Sequence, residues 1–384
     1  MTIKSSGNPL AFSEIEAEFG ADGVRRLGKY RTTDPDFTNE SPSGSSLSNL
    51  PLDNGIPASG TIKFSDFYGK KLNMIVDYYG DVANLNKQAA GANTMAATWR
   101  YQNQTERVKV VGGFRSRPIG SVAGGNYVLS ASDWQGGKKI MVNVNQTVGG
   151  RKPSLNDVAL RTGIWPSGTE LQIDIGPSGY LTGAGGDGGR GGSNNGNDVQ
   201  PGNNGSSALG IEYAATVNNN GVIRCGYGGG GGGSGAANDP SDKSDTDFGR
   251  SGGGGGGGAG LPAGIGGAEN TAGFSDYDPN TEKGFAGGNG TLTAGGQGGA
   301  ANNEGGADAG EGGNGGDIND APQSGVKGVQ GRPGVGYSAP VDPGPAGPDG
   351  KAIIFSNATV ENNSTLNGNT VGGRNGGIGG GLFT

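Results

Sequence analysis

The chain has 384 residues, 87 of them glycine, with one cysteine, no histidine and a net charge of −7. That excludes an intramolecular disulfide and any zinc site, catalytic triad or general base built on histidine. Nucleic acid is a poor partner, since 9 Lys/Arg stand against 19 Asp/Glu after residue 175, and no 18-residue apolar run offers a membrane span.

The N-terminus, MTIKSSGNPL, has no apolar core of the secretory type. Residues 1–71 carry an internal echo: Leu10-Ala11-Phe12-Ser13-Glu14-Ile15 matches Ile62-Lys63-Phe64-Ser65-Asp66-Phe67. Ser13 and Glu16 have capping-box spacing, and Phe12, Ile15 and Phe19 share a helical face that Gly20 would end. Ser65 would cap a short turn ended by Gly69. Residues 32–60, polar and rich in Pro, Ser and Asn, read as an extended arm. Two such turns on an arm suit a segment that docks on another protein; an ordinary N-terminal subdomain is the alternative.

Residues 72–165 read as a β-sandwich-like domain. Strands are expected in 72–79, 94–101, 107–114, 126–132, 138–146 and 170–175, with Gly, Asn and Asp turns between them. Trp99, Trp134 and Trp165 are its candidate core aromatics.

Residues 166–384 form the glycine-rich region. Ile173-Asp174-Ile175, Ala215-Thr216-Val217 and Ala358-Thr359-Val360 each read as a strand, then a polar turn and a second short strand, then glycine. Stacked, these hairpin-like rungs would make an apolar base of Ile173, Ile175, Val217, Val222, Ile223, Ile353, Ile354, Phe355 and Val360. Eight glycine runs follow from them: 183–192, 226–235, 252–267, 284–299, 305–316, 325–336, 344–350 and 372–381.

A glycine run has no side chains to bury and loses much entropy on ordering, so a coil is its default state. Within these runs, however, glycines recur every third residue: Gly186, Gly189, Gly192; Gly310, Gly313, Gly316; Gly344, Gly347, Gly350. Three residues per turn is the extended polyproline-II-type helix, which has no internal hydrogen bonds. Only glycine lets such helices approach on every side and bond through their main chains. The expected fold is therefore mainly β plus polyglycine-II, with the triplet register too short for a collagen triple helix. If the runs alternate in direction, parity puts 193–207, 236–251, 300–304 and 337–343 at the far end, and 268–283 and 317–324 at the rung end.

The segments TGIWPSGTELQIDI, NNNGVIRCGYGGGGGG and GPAGPDGKAI, with the long glycine runs, resemble the glycine-rich receptor-binding adhesins at the tips of tailed-phage fibres. The resemblance covers roughly 160–384. It implies a sandwich of polyglycine-II helices whose distal loops touch a host outer-membrane protein or surface sugar, in a virion tail protein. FSEIEAEFG and GIPASGTIKFSDFYGKKL look like a module of marine tailed-phage structural proteins. The adhesin family docks through a different N-terminal region, and residues 1–71 are expected to bind another tail protein.

Glycine helices are too plain to recognise anything, so contact falls to the loops. The candidates are Asp239, Asp242, Lys243, Asp245, Asp247 and Phe248 in one loop, Phe274, Asp276, Tyr277 and Asp278 in a second, and Tyr337. No cofactor is expected: DKSDTD could hold calcium but lacks the glycine and terminal glutamate of an EF-hand loop, so calcium stays open, and Cys225 has no base beside it. Nor is an enzyme expected, although a polysaccharide depolymerase using carboxylates is a third reading. A purely structural virion protein with the glycine field as a brace is the second. The oligomer, monomer or homotrimer, stays open.

Overall fold

The computed structural model describes residues 3–19, 26–30, 56–57, 59–70, 74–78, 87–89, 99–101, 108–111, 121–123, 126–128, 139–145, 147–150, 158–162, 168, 170–193, 198–235, 251–269, 284–301, 309–318, 320, 323–324, 342–369 and 378–380. The chain is mainly β, with few helices. Among the described residues, no helix is long and apolar enough to cross a membrane.

The N-terminal echo has a structural meaning. Helix α1 (Phe12–Phe19) and a 3-10 turn (Phe64–Phe67) start alike. The Ala11 N–H donates to the Glu14 carboxylate at 2.8 Å, and the Lys63 N–H to that of Asp66 at 2.7 Å. The acid three residues on from the cap thus satisfies one orphan donor in each copy. This corrects the sequence reading, which put the cap at Ser13 and its partner at Glu16. The Ala11 N–H, followed by Lys4 at 2.9 Å, holds the Glu14 carboxyl below its ordinary pKa. Ile15 and Phe67, equivalent in the echo, are both fully buried, and Ile3 and Tyr30 are buried beside them in the same cluster. They belong to one hydrophobic cluster with the β interior. Gly20 and most of the expected arm lie outside the described residues.

Strands β1 (Met74–Tyr78), β2 (Lys87–Ala89), β3 (Trp99–Tyr101), β4 (Val108–Val111), β5 (Ser121–Ala123) and β6 (Asn126–Val128) come next. β2, β3, β6 and β5 form an antiparallel sheet in that order. β1 pairs antiparallel with β4 and parallel with β7 (Lys139–Val144). Trp134 and Trp165 lie outside the described residues.

From β7 the chain winds as a three-sided parallel coil. Its first turn is β7, β8 (Thr147–Val148) and β9 (Val158–Arg161); its second is β10 (Glu170–Ile175), β11 (Tyr180–Thr182) and β12 (Ser207–Ile211). The third is β13 (Ala215–Asn219), β14 (Val222–Arg224) and β15 (Ile353–Phe355), and the fourth carries β16 (Thr365–Gly368) and β17 (Ile378–Gly380). Each side is a parallel sheet: β7-β10-β13-β16, β8-β11-β14 and β9-β12-β15-β17. This pairing joins 139–161 to the later turns, across the boundary expected at 165.

The interior follows from register. Val142, Ile173 and Val217 stack on one side, Val148, Leu181 and Ile223 on the second, and Leu160, Leu209 and Ile353 on the third. All nine are buried. Apolar side chains pointing inward on the first three turns give the coil a continuous core.

The rungs therefore differ from the hairpins expected: their two strands belong to different sheets and pair with the next turn. Ala358-Thr359-Val360 is not a strand. It starts a short helix, α2 (Ala358–Asn362), because the Asn357 side chain accepts the Val360 N–H at 2.9 Å and caps it. The strand of that rung moves on to Thr365. Val222 is only half-buried, and Val360 packs on the core from α2.

The second and third turns of the coil are interrupted between their second and third strands. There the glycine-rich chain leaves, and it returns to β12 and β15. Nine non-strand segments are described: g1 (183–193), g2 (199–206), g3 (226–235), g4 (251–259), g5 (262–268), g6 (284–290), g7 (295–301), g8 (309–316) and g9 (342–350). Their main chains bond sideways with a period of three. Gly252, Gly255 and Gly258 of g4 donate to g1; Gly253, Gly256 and Ala259 to g8; Gly254 and Gly257 to g6. The carbonyls of Gly253 through Ala259 accept from g3, g5 and g7. All these bonds are 2.7–3.0 Å long, so g4 is saturated by six neighbours. g3 is ringed likewise by g1, g2, g4, g8, g9 and residues 323–324. The block is thus a three-layer hexagonal lattice: g2-g1-g5, then g9-g3-g4-g6, then 323–324-g8-g7.

Where an outer segment lacks a main-chain neighbour, side chains supply the acceptor. Asp187 accepts the Ile265 N–H at 2.7 Å, Asn289 that of Gly266 at 2.9 Å, and Asn314 that of Gly298 at 2.7 Å. Asp187→Ala is expected to lower stability by about 1 kcal/mol, the usual cost of such a bond, measured by denaturant unfolding.

Candidate functional site

The sense of each segment follows from its bonds. Gly186, Gly189 and Gly192 donate to Tyr227, Gly230 and Gly233, so g1 and g3 run together, away from the coil. Gly264 and Gly267 donate to Gly258 and Gly255, so g4 and g5 run opposite ways. Applied throughout, g1, g3, g5 and g7 lead outward, and g2, g4, g6, g8 and g9 lead back.

This corrects the parity argument. Run 252–267 is two segments, folded at residues 259–262, where Gly260 takes φ +153° next to Leu261 and Pro262. Run 284–299 also folds, at Thr291–Ala294, where the Thr291 N–H donates to the Ala294 carbonyl at 2.8 Å. Asp317 and Asp320 lie at the near end as expected, with the Asp317 carboxylate accepting the Asp320 N–H. The first fold moves 268–283 from the rung end to the far end, and the second restores the expected ends for the connections after it. The chain therefore enters and leaves 194–197, 236–250, 270–283, 302–308 and 325–341 at the end remote from the coil.

At that end the described residues show one closed connection. Asp198 accepts from the Ser193 N–H at 2.7 Å and pairs with Arg190 at 3.1 Å, tying the end of g1 to the start of g2. Asp239, Asp242, Lys243, Asp245, Asp247 and Phe248 fall within 236–250; Phe274, Asp276, Tyr277 and Asp278 within 270–283; and Tyr337 within 325–341. All eleven lie outside the described residues. The structure fixes where their connections begin and end, so the two principal candidate loops start and finish at the same end of the lattice.

Two signals in the sequence point to these features. Gly202 and Gly205 have the three-residue spacing and mark g2, which joins the lattice although only two glycines define it. AGLP and TLT interrupt the glycines where the chain folds back.

Cys225, Tyr227 and Ala259 form a fully buried cluster where g3 and g4 meet the coil. Burial pushes the Cys225 thiol up to about 12, so it stays protonated and is no nucleophile. Arg224 lies over the Tyr180 ring, 5.3 Å from its centroid. Among the described residues, no three His, Cys, Asp or Glu side chains group to hold a metal.

A solved structure described as the gp37-gp38 adhesin tip complex of the bacteriophage S16 long tail fiber is similar at 19% identity and TM-score 0.38, covering 98% of each chain. No curated protein matches. The sequence profile of phage tail fibre adhesin Gp38 matches residues 118–379, well over half of the chain and the whole described lattice. The chain therefore belongs to the Gp38 family of phage tail fibre adhesins, proteins of the virion tail.

Proposed function

We propose that the chain attaches the virion to a host cell-surface protein or glycan through the connections at the far end of the lattice, and that g1–g9 are packed polyglycine-II helices. The three-residue bonding period and the absence of bonds within a segment support the helix assignment. The observation that carries the attachment reading is the convergence of five connections on one end. The described lattice bonds through the main chains of its own segments, so the sequences of the connections can vary without unfolding it. Asp239–Phe248 and Phe274–Asp278 are the contact residues in this reading, with Tyr337 beside them. The N-terminal module docks on another tail protein, and the chain carries out no catalytic step.

Replacing 236–250 by a short Gly/Ser linker tests this. Adsorption to host cells is expected to fall roughly tenfold or more, equivalent to about 1.4 kcal/mol, with particle assembly and thermal unfolding unchanged. Loss of assembly instead would make the block a brace. Release of reducing sugar from host glycan would make the protein an enzyme.

A further inference from the structure

We propose that the glycine lattice is a mechanical clamp, built to resist force along its segments. This rests on the attachment reading, which puts one anchor at the far end and the other beyond the coil. Between those anchors, among the described residues, the block joins the coil at four places: 182–183, 206–207, 224–226 and 350–353. The four segments concerned, g1, g2, g3 and g9, run along the line between the two ends. Tension between host and virion therefore acts along the segments.

The bonds lie across that line. Axial force slides a segment past its neighbours and loads all its bonds together. g2 shows the arrangement: it donates to Ala184, Asp187 and Arg190 of g1 and to Pro345 and Pro348 of g9, and it accepts from Gly226, Gly229 and Gly232 of g3. None can break alone under axial load. Nor does a small slip restore them. The pattern repeats only every three residues, about 9 Å at 3.1 Å per residue, so a sliding segment must lose every bond before it finds new ones. Force across the layers meets the opposite case, because rows of bonds then open in succession from an edge.

The direction of pulling separates the two cases. Cys225 is fully buried and its raised pKa keeps it unreactive, so the full chain takes handles only at introduced cysteines. Ser178→Cys with Ala300→Cys places one handle on the coil and one at the far end of g7, an axial pair. Ala286→Cys with Pro345→Cys places them on opposite edges of the middle layer, a transverse pair. All four positions are exposed, and Gln297→Cys replaces Ala300→Cys if that variant misfolds. In single-molecule force spectroscopy the axial pair should rupture in one step at several-fold higher force than the transverse pair. Equal forces, or a stepwise axial trace, would overturn the clamp. A strong axial rupture in a protein whose 236–250 replacement still adsorbs normally would leave the clamp standing and remove the attachment reading.

Discussion

Gly256→Ala is expected to break the lattice. A Cβ on Gly256 would overlap the Gly296 carbonyl oxygen, lie 2.6 Å from its carbon and sit 2.9 Å from the Gly315 nitrogen. These are main-chain atoms of two neighbouring segments, held by their own bonds, so no side chain can swing aside. Overpacking usually costs about 1–3 kcal/mol because side chains and backbone shift. Here g7 or g8 must move away from g4, and the loss should exceed that range. Gly288→Ala is the matched control. It lies in the same lattice, but its nearest neighbour, the Gln297 nitrogen, is 3.3 Å away, so a small shift of g7 relieves the contact and the loss should be far smaller than for Gly256→Ala. Thermal unfolding of the two variants, read by circular dichroism, checks this. Equal transition temperatures would show that the central contacts are looser than described.

Phe355→Ala should be as damaging, for a different reason. Phe355 is 1% exposed and stands in register with Ile211. It lies on the strand that returns the chain to the coil after the long excursion through g3–g9. A Phe-to-Ala cavity in a packed core costs about 3–5 kcal/mol. Since β15 also anchors g9, the lattice should loosen with the coil. Hydrogen exchange would show it as faster exchange at Gly344, Gly347 and Gly350, which donate to g3. Exchange confined to 353–355 would mean that coil and lattice are held independently.

Much of this architecture can be read in the residues. The spacing of Gly186, Gly189 and Gly192 announces the bonding period, and ELQIDI and KKIMVNVNQ announce strands. What the sequence hides is pairing between distant elements. Nothing local in Ala215-Thr216-Val217 says that its partner is Leu171-Gln172-Ile173 and not Val222-Ile223, so a hairpin and a coil turn look alike. Ala358-Thr359-Val360 has β-branched residues, yet one cap from Asn357 decides for a helix. Direction within the lattice depends on counting folds, and a missed turn at residues 259–262 inverts the placement of 270–283. Composition marks 236–250 and 270–283 only as loops rich in charge and aromatics, while their common end became visible only through the bonds of Gly264 and Gly267.

The saturated main chain of g4 bears on temperature as well. Ordinary domains gain stability by hiding apolar surface, so exposing it raises the heat capacity on unfolding and bends stability downward in the cold; exposing peptide groups does the opposite. A block made of backbone and almost no side chain should unfold with little increase in heat capacity. Its stability curve would be flatter than that of the coil beneath it, and on cooling the lattice would outlast the coil.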